Sequence, residues 1–197
     1  MDREQDRAAI TETPGPEPDG PLAPELHVLG AVAPQARAAL RAAWDAAYRE
    51  VDPVLLSLVR RRVEDQLGFA LDPGPHPDDR TERAVAALAD QFVFYVPQVS
   101  DELRAPVREA LGDSGLRTLI DALYVLDQTT RLRLSHGRLL ADATSWAPVG
   151  RPQASATSSL ADAISELHAS AMRLDQLDPL TTETVRLRAA NYHDCKT

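Results

Sequence analysis

Cysteine is almost absent from this sequence, which has one, Cys195, in 197 residues. One thiol cannot form a disulfide within the chain, and this fits a reducing compartment. Long apolar runs are also missing, since no stretch approaches the roughly 20 apolar residues that span a bilayer. Acidic residues outnumber basic ones by 30 to 21, and the net charge of −9 opposes nucleic acids and anionic membranes. We therefore expect a cytoplasmic protein without nucleic-acid or membrane partners.

The composition otherwise predicts an ordinary folded domain preceded by a tail. Hydrophobic residues make up 44% of the chain and charged residues 26%, which is enough for a core. The first residues, MDREQDRAAI, carry acids and lack an apolar segment, so they do not look like a signal peptide. Residues 1–25 are acidic and rich in proline, which predicts a disordered tail.

From Pro34 onward, cap residues alternate with apolar positions at helical spacing. We expect Asp52, Ser159 and Asp178 to begin helices, and Gly68, Gly112 and Asn191 to end them. Ser159 and Asp162 have the spacing of a capping box, and Asp113 or Ser114 could cap the helix that follows Gly112. Only Phe92–Val96 could pass for a strand, and the sequence offers it no partner strand. Seven helices and no sheet predict an all-α bundle, in which residues 142–158 form a linker.

Part of the sequence repeats at an offset of 126 positions. The stretch that begins at Asp52 matches the stretch that begins at Asp178 in five of eleven positions. The matched pairs are Asp52 and Asp178, Pro53 and Pro179, Val59 and Val185, Arg60 and Arg186, and Arg62 and Arg188. Five identities in one register indicate an internal repeat.

The repeat predicts a domain organisation. A degenerate first repeat would occupy residues 26–141, and the start of a second would occupy residues 159–197. The offset maps Leu140 to position 266, beyond Thr197. We therefore expect the chain to be truncated within its second repeat, where apolar faces would lack their intended partners.

Few residues of this sequence are candidates for catalysis or for binding a metal or an anion. Cys195 is the only candidate nucleophile, with His193 and Lys196 as cations that could favour its thiolate. His76, Asp78 and Asp79 could bind a metal, but three polar residues in a Pro/Gly loop are usually just solvated, so we expect no metal or cofactor. Acids follow closely after the basic run of residues 60–62, which favours a solvated helix face over an anion site.

The C-terminal string LDPLTTETVRLRAANYHDC resembles the carboxymuconolactone decarboxylase and alkylhydroperoxidase AhpD-like family, in particular its two-repeat members. The motif implied by the resemblance is a glutamate, then the first cysteine of C-x-x-C twelve residues later, then a histidine four residues past the second cysteine. Glu183 and Cys195 match its first two members. The second cysteine and the histidine would fall at positions 198 and 202.

In the first repeat, the positions that correspond to this motif have changed. Ser57, Phe69 and Asp72 replace the glutamate and the two cysteines, and His76 falls at the histidine position. Because His76 has no thiol beside it, we interpret that match as accidental.

The resemblance implies thiol-dependent reduction of peroxides, a peroxiredoxin-like antioxidant activity, with Cys195 and Glu183 as catalytic residues. A thiol reductant would then be a partner. Because the motif is incomplete, we expect this 197-residue chain to be inactive as a catalyst. The resemblance favours lactone decarboxylation less than peroxide reduction, because the string contains the first part of the family's cysteine motif. The alternative hypothesis is a non-catalytic helical scaffold that supports assembly of a homo-oligomer.

Overall fold

The computed structural model describes residues 33–69, 77, 79–139, 159–172 and 178–192. Every regular element in these ranges is helical, which confirms the predicted all-α class. The helices are α1 (Pro34–Glu50), α2 (Pro53–Gln66), α3 (Arg80–Tyr95), a short 3₁₀ helix (Val96–Gln98), α4 (Asp101–Leu139), α5 (Leu160–Met172) and α6 (Pro179–Tyr192). Within these ranges, no helix is both long enough and apolar enough to cross a membrane.

Side-chain caps set the helix starts where the sequence predicts them. The Asp52 carboxylate accepts the N–H groups of Val54 and Leu55 at 2.9 and 3.2 Å, and Pro53 occupies the first position of α2. At the start of α5, Ser159 Oγ accepts the Asp162 N–H at 3.2 Å and donates its hydroxyl to the Asp162 carboxylate at 2.7 Å, so only the serine half of a capping box is formed. The bonds from Val54, Leu55 and Asp162 satisfy N–H groups that have no partner inside the helix.

Helix α4 is broken at Gly112, whose φ of 73° and ψ of 174° are not helical. A residue with a side chain is strained at such a φ, which explains why glycine stands at the break. The expected end of one helix at Gly112, with another directly after it, is therefore confirmed. Phe92–Val96 is also helical as predicted, because Phe92–Tyr95 complete α3 and Val96 begins the 3₁₀ helix.

One hydrophobic core joins α1, α2, α3, α4 and α5. The Leu160 N–H donates to the Glu50 carboxylate at 3.0 Å, which places the start of α5 beside the end of α1. Since the two helices also pack along their length, they run antiparallel. The bulkiest fully buried side chains are Leu40, Leu56, Leu88, Leu119, Leu123, Leu126 and Leu160.

This core contains residues from both of the predicted repeats. Leu160, Ala163, Ile164 and Leu167 of α5 are all buried in the core that α1–α4 build. The first helix of the predicted second repeat therefore belongs structurally to the same bundle as the first repeat.

Helix α6 lies apart from this core. Among the residues that the structure covers, α6 packs against none of the other helices. Three of its apolar side chains are largely exposed: Leu180, Val185 and Leu187. Apolar side chains that face water contribute nothing to burial, so α6 adds little to the stability of the bundle.

We expect Leu123→Ala to lower the free energy of unfolding by about 2–5 kcal/mol, because Leu123 is fully buried and truncation leaves a cavity. Leu180→Ala is the matched control, since the same atoms are removed from a side chain that is 77% exposed, and its effect should stay within about 0.5 kcal/mol. Urea unfolding of both variants measures this. Equal losses would contradict the assignment of the core.

Candidate functional site

The candidate site begins with the helix that carries Glu183. Asp178 accepts the Thr181 N–H at 3.0 Å and the Thr181 hydroxyl, and these bonds hold the pKa of Asp178 below its ordinary value. With Asp178 as cap and Pro179 as first residue, α6 starts as predicted, and it ends at Tyr192, one residue past the expected stop at Asn191. Glu183 lies on this helix and is exposed to solvent.

Cys195, the predicted nucleophile, lies outside the described residues, as do His193 and Lys196. Of the two catalytic residues that the resemblance implies, the structure therefore positions Glu183 alone. The proximity of Glu183 and Cys195 stays a prediction.

The boundaries of α2 and α6 agree with the repeat register. Pro53 and Gln66 bound α2, and Pro179 and Tyr192, each 126 positions later, bound α6. Both helices have 14 residues and an aspartate cap. Their surroundings differ, however, because Val59 is fully buried whereas its counterpart Val185 is 60% exposed.

The buried faces of α1 and α5 correspond at a different offset, 124. Leu160, Ala163, Ile164 and Leu167 are buried in α5, and the residues 124 positions earlier, Ala36, Ala39, Leu40 and Ala43, are buried in α1. Two helices with matching faces thus pack against each other, antiparallel. The difference of two positions means that two more residues separate the buried face of α5 from the start of α6 than separate the buried face of α1 from the start of α2.

The positions in the first repeat that correspond to the motif hold no thiol chemistry. Ser57 is exposed on α2. Phe69 lies under the guanidinium of Arg133, whose central carbon is 4.7 Å from the ring centroid, a cation–π contact. Asp72 and His76 lie outside the described residues.

A buried charge network links α2 to α4. Glu64 is only 4% exposed, and its Oε1 accepts Arg60 Nε and Arg133 Nη1, each at 3.1 Å. Burial opposes the charge on Arg60, but Tyr48 and Glu64 outweigh it and raise the pKa of the guanidinium. A buried carboxylate is tolerated only when it is paired in this way.

This network corrects the prediction that the basic run of α2 is a solvated face. Arg60 bonds to Glu64, and Arg62 forms a two-pronged ion pair with Asp90 of α3. The side chains of Arg60 and Arg62 are each only 33% exposed. The basic run therefore forms one ion pair within α2 and another to α3. In the sequence, only the i,i+4 spacing of Arg60 and Glu64 indicated such pairing.

Among the described residues, no group of three or more histidine, cysteine, aspartate or glutamate side chains is arranged to hold a metal. Of the loop residues weighed as ligands, Asp79 instead caps α3 by accepting the Glu82 N–H at 2.8 Å. His76 and Asp78 lie outside the described residues.

A tyrosine–histidine pair joins α4 to α5. The Tyr124 hydroxyl and His168 Nε2 share a hydrogen bond of 2.8 Å, and the rings meet edge to face with centroids 5.2 Å apart. Burial, aided by the charge of Asp127, raises the pKa of Tyr124. The pair helps to fix α5 on the bundle, and its residues lie 44 positions apart in the sequence.

Two carboxylates from different helices, those of Glu50 and Asp121, lie close enough for their charges to interact. Glu50 accepts the Leu160 N–H at the start of α5, and its negative charge also acts on Asp121 of α4. Partial burial is the main cause that raises the pKa of Asp121; Glu50 adds to it, and Arg117 opposes it. The folded protein therefore stabilises the ionised form of Asp121 less well than water does.

We expect Asp121→Asn to raise stability at pH 7. Because the folded-state pKa lies above the unfolded value of about 3.9, folding is favoured while Asp121 is protonated, and that advantage is lost as the pH rises through the folded pKa. The two proteins should therefore converge in stability below about pH 3.9. Chemical denaturation from pH 3 to 7 measures this, and a variant less stable than the parent at pH 7 would contradict the account.

The chain is similar to two proteins of Mycobacterium tuberculosis: uncharacterized protein MT2376 of strain CDC 1551 / Oshkosh and uncharacterized protein Rv2313c of strain ATCC 25618 / H37Rv. Each is 28% identical over 129 residues, which cover 61% of this chain and 43% of the relative. The chain thus spans less than half the length of these relatives, whose names state no activity. No family model matches the chain, and no solved structure does.

Proposed function

We propose that the protein belongs to the AhpD-like group and that its parent activity is thiol-dependent reduction of alkyl hydroperoxides. The observation that carries the proposal is the motif itself: Glu183 stands on a helix with an aspartate cap and a proline start, twelve residues before the only cysteine. The agreement of α2 and α6 in length and boundaries supports the repeat on which the resemblance depends.

The chemistry explains why these residue types are needed. The Cys195 thiolate attacks one peroxide oxygen, so that an S–O bond forms as the O–O bond breaks, sulfur is oxidised and the alcohol leaves. Glu183, as one end of a proton relay, accepts the thiol proton and passes a proton toward the leaving oxygen. A second thiol then displaces the sulfenic oxygen as water, forming a disulfide, and an external dithiol reduces that disulfide.

With Cys195 as its only cysteine, this chain supplies one of the two thiols. An external thiol is then required to resolve the sulfenic acid. The proposal for the 197-residue chain is accordingly a partial site that reacts once with peroxide.

A second candidate function is a non-catalytic scaffold that assembles copies of the chain. The exposed Leu180, Val185 and Leu187 on α6 favour it, because apolar side chains on a helix without packing partners are typical of an association surface. This candidate needs no chemistry at Cys195.

Without an external thiol, we expect peroxide to oxidise Cys195 once. With a dithiol present, we expect alkyl hydroperoxide to be consumed no faster than by the dithiol alone, because Cys195 has neither a resolving cysteine nor the histidine of the motif beside it in this sequence. Mass spectrometry of the intact chain and a peroxide-consumption assay measure both, with Cys195→Ser as the control that removes the only thiol. Sustained turnover that Cys195→Ser abolishes would show that the site needs no further residues.

The comparison that decides between the two candidates uses a longer chain, joined after Thr197 to sequence that completes the repeat with cysteine at position 198 and histidine at 202. In that chain, Glu183→Gln should lower the turnover rate by about 10²–10⁴-fold, the usual range for a general acid–base group. Glu166→Gln, which changes an exposed glutamate of α5, is the matched control and should leave the rate unchanged. An inert extended chain with both cysteines present would remove the peroxidase proposal and leave the scaffold.

A further inference from the structure

The exposed face of α6 has the pattern of a helix–helix seam. At about 100° per residue, Leu180 and Leu187 point in directions only about 20° apart, and Thr184 lies about 40° from Leu180. All three side chains are exposed. Val185 points about 140° away from Leu180, so it lies outside this seam. The seam residues therefore recur at intervals of four and three, the spacing that packs two helices side by side.

Opposite charges flank the seam on its two sides. Glu183 lies about 60° to one side of Leu180 and Arg188 about 80° to the other, and both are exposed. They are five positions apart in the sequence. In two parallel helices packed in register, a residue on one flank faces the residue five positions later on the other helix, so each Glu183 would meet an Arg188 across the seam.

We propose that α6 pairs with α6 of a second copy of this chain, parallel and in register, with Leu180 on Leu180, Leu187 on Leu187, and two reciprocal Glu183–Arg188 ion pairs. A second copy is the occupant because it supplies both the apolar seam and the complementary charges in matching positions. An antiparallel arrangement is disfavoured, since it would bring the two Glu183 carboxylates together near its centre, and charges that flank a helix seam select its orientation.

The size of the seam limits its strength. A helix of 14 residues is about 21 Å long and offers two leucine layers, well below the roughly 800 Å² that each partner buries in a standard interface. Exposed ion pairs add little affinity, but they select orientation and register. The dimer should therefore be weak and reversible.

This inference rests on the scaffold candidate and makes it specific. Pairing would engage the Glu183 carboxylate, which the peroxidase proposal needs for proton transfer. Pairing through the seam does not involve Cys195, so the dimer is measured in a Cys195→Ser background and the two proposals are tested separately: loss of the dimer leaves the peroxidase proposal standing, and loss of peroxide chemistry leaves the dimer standing.

Sedimentation velocity over micromolar to millimolar protein measures the association. Leu180→Ala and Leu187→Ala should each weaken the dimer about tenfold, as expected for central residues of a small interface. Val185→Ala is the matched control, because it truncates an exposed aliphatic side chain on the same helix outside the seam, and it should change the dissociation constant less than twofold. A chain that stays monomeric throughout, or a Val185→Ala effect as large as the leucine effects, would overturn the proposal.

Charge reversal tests the register. Glu183→Lys and Arg188→Glu should each weaken the dimer, because each places like charges at both contacts between positions 183 and 188. The double variant should restore association, and a mixture of the two single variants should associate more strongly than either alone. Circular dichroism of each variant checks that the substitution leaves the helix content of the monomer unchanged. Failure of the double variant to recover would overturn the assigned register.

Cross-linking tests the orientation. In a Cys195→Ser background, Leu180→Cys chains oxidised with copper phenanthroline should form disulfide-linked dimers with one another, because in-register parallel helices bring these positions within disulfide reach. Cross-links that form only when Leu180→Cys and Leu187→Cys chains are mixed would show antiparallel pairing and would overturn the proposal.

Discussion

Packing of α5 against α1 is the interaction on which the rest of the fold depends. Helix α1 presents five small buried residues, Ala36, Ala39, Ala43, Ala46 and Ala47. Small side chains let a neighbouring helix approach closely, and α5 buries the larger Leu160, Ile164 and Leu167 in the common core. Because α5 also contacts α4, it closes the core that α1–α4 leave open. The Leu160–Glu50 bond and the Tyr124–His168 pair fix its position.

Helix α6 shows what the same local sequence does without that packing. Helix α6 begins like α2, with an aspartate cap followed by proline, so the local sequence is sufficient to begin the helix. Val59 of α2 is buried between helices, whereas Val185 of α6 faces solvent. Capping therefore specifies where a helix begins, and tertiary contacts decide whether it joins a core. Glu183 lies on α6 and is exposed to solvent.

The sequence predicted local features well and contacts between distant residues poorly. Caps at Asp52 and Ser159 and the break at Gly112 depend on residues within one turn, so each was predictable from the sequence. Burial of Glu64 depends on Arg133, which lies 69 positions away, and the prediction of a solvated face was wrong for that reason. The docking of α5 on α1 is likewise a contact between distant segments. For the candidate site, the helix that carries Glu183 was predicted from its cap, whereas its relation to Cys195 depends on residues beyond α6.

Hydrogen exchange of the backbone amides tests the central claim most directly, that α1–α5 form one core and α6 stands outside it. At a protein concentration at which the chain is monomeric, amides in Leu116–Leu132 of α4 should exchange only through global unfolding. Amides of α6 beyond its first turn should exchange much faster, through local opening, because none of the other helices that the structure describes packs against α6. The amides of α5 should be protected like those of α4. Protection of α6 equal to that of Leu116–Leu132 in the monomer would contradict the account.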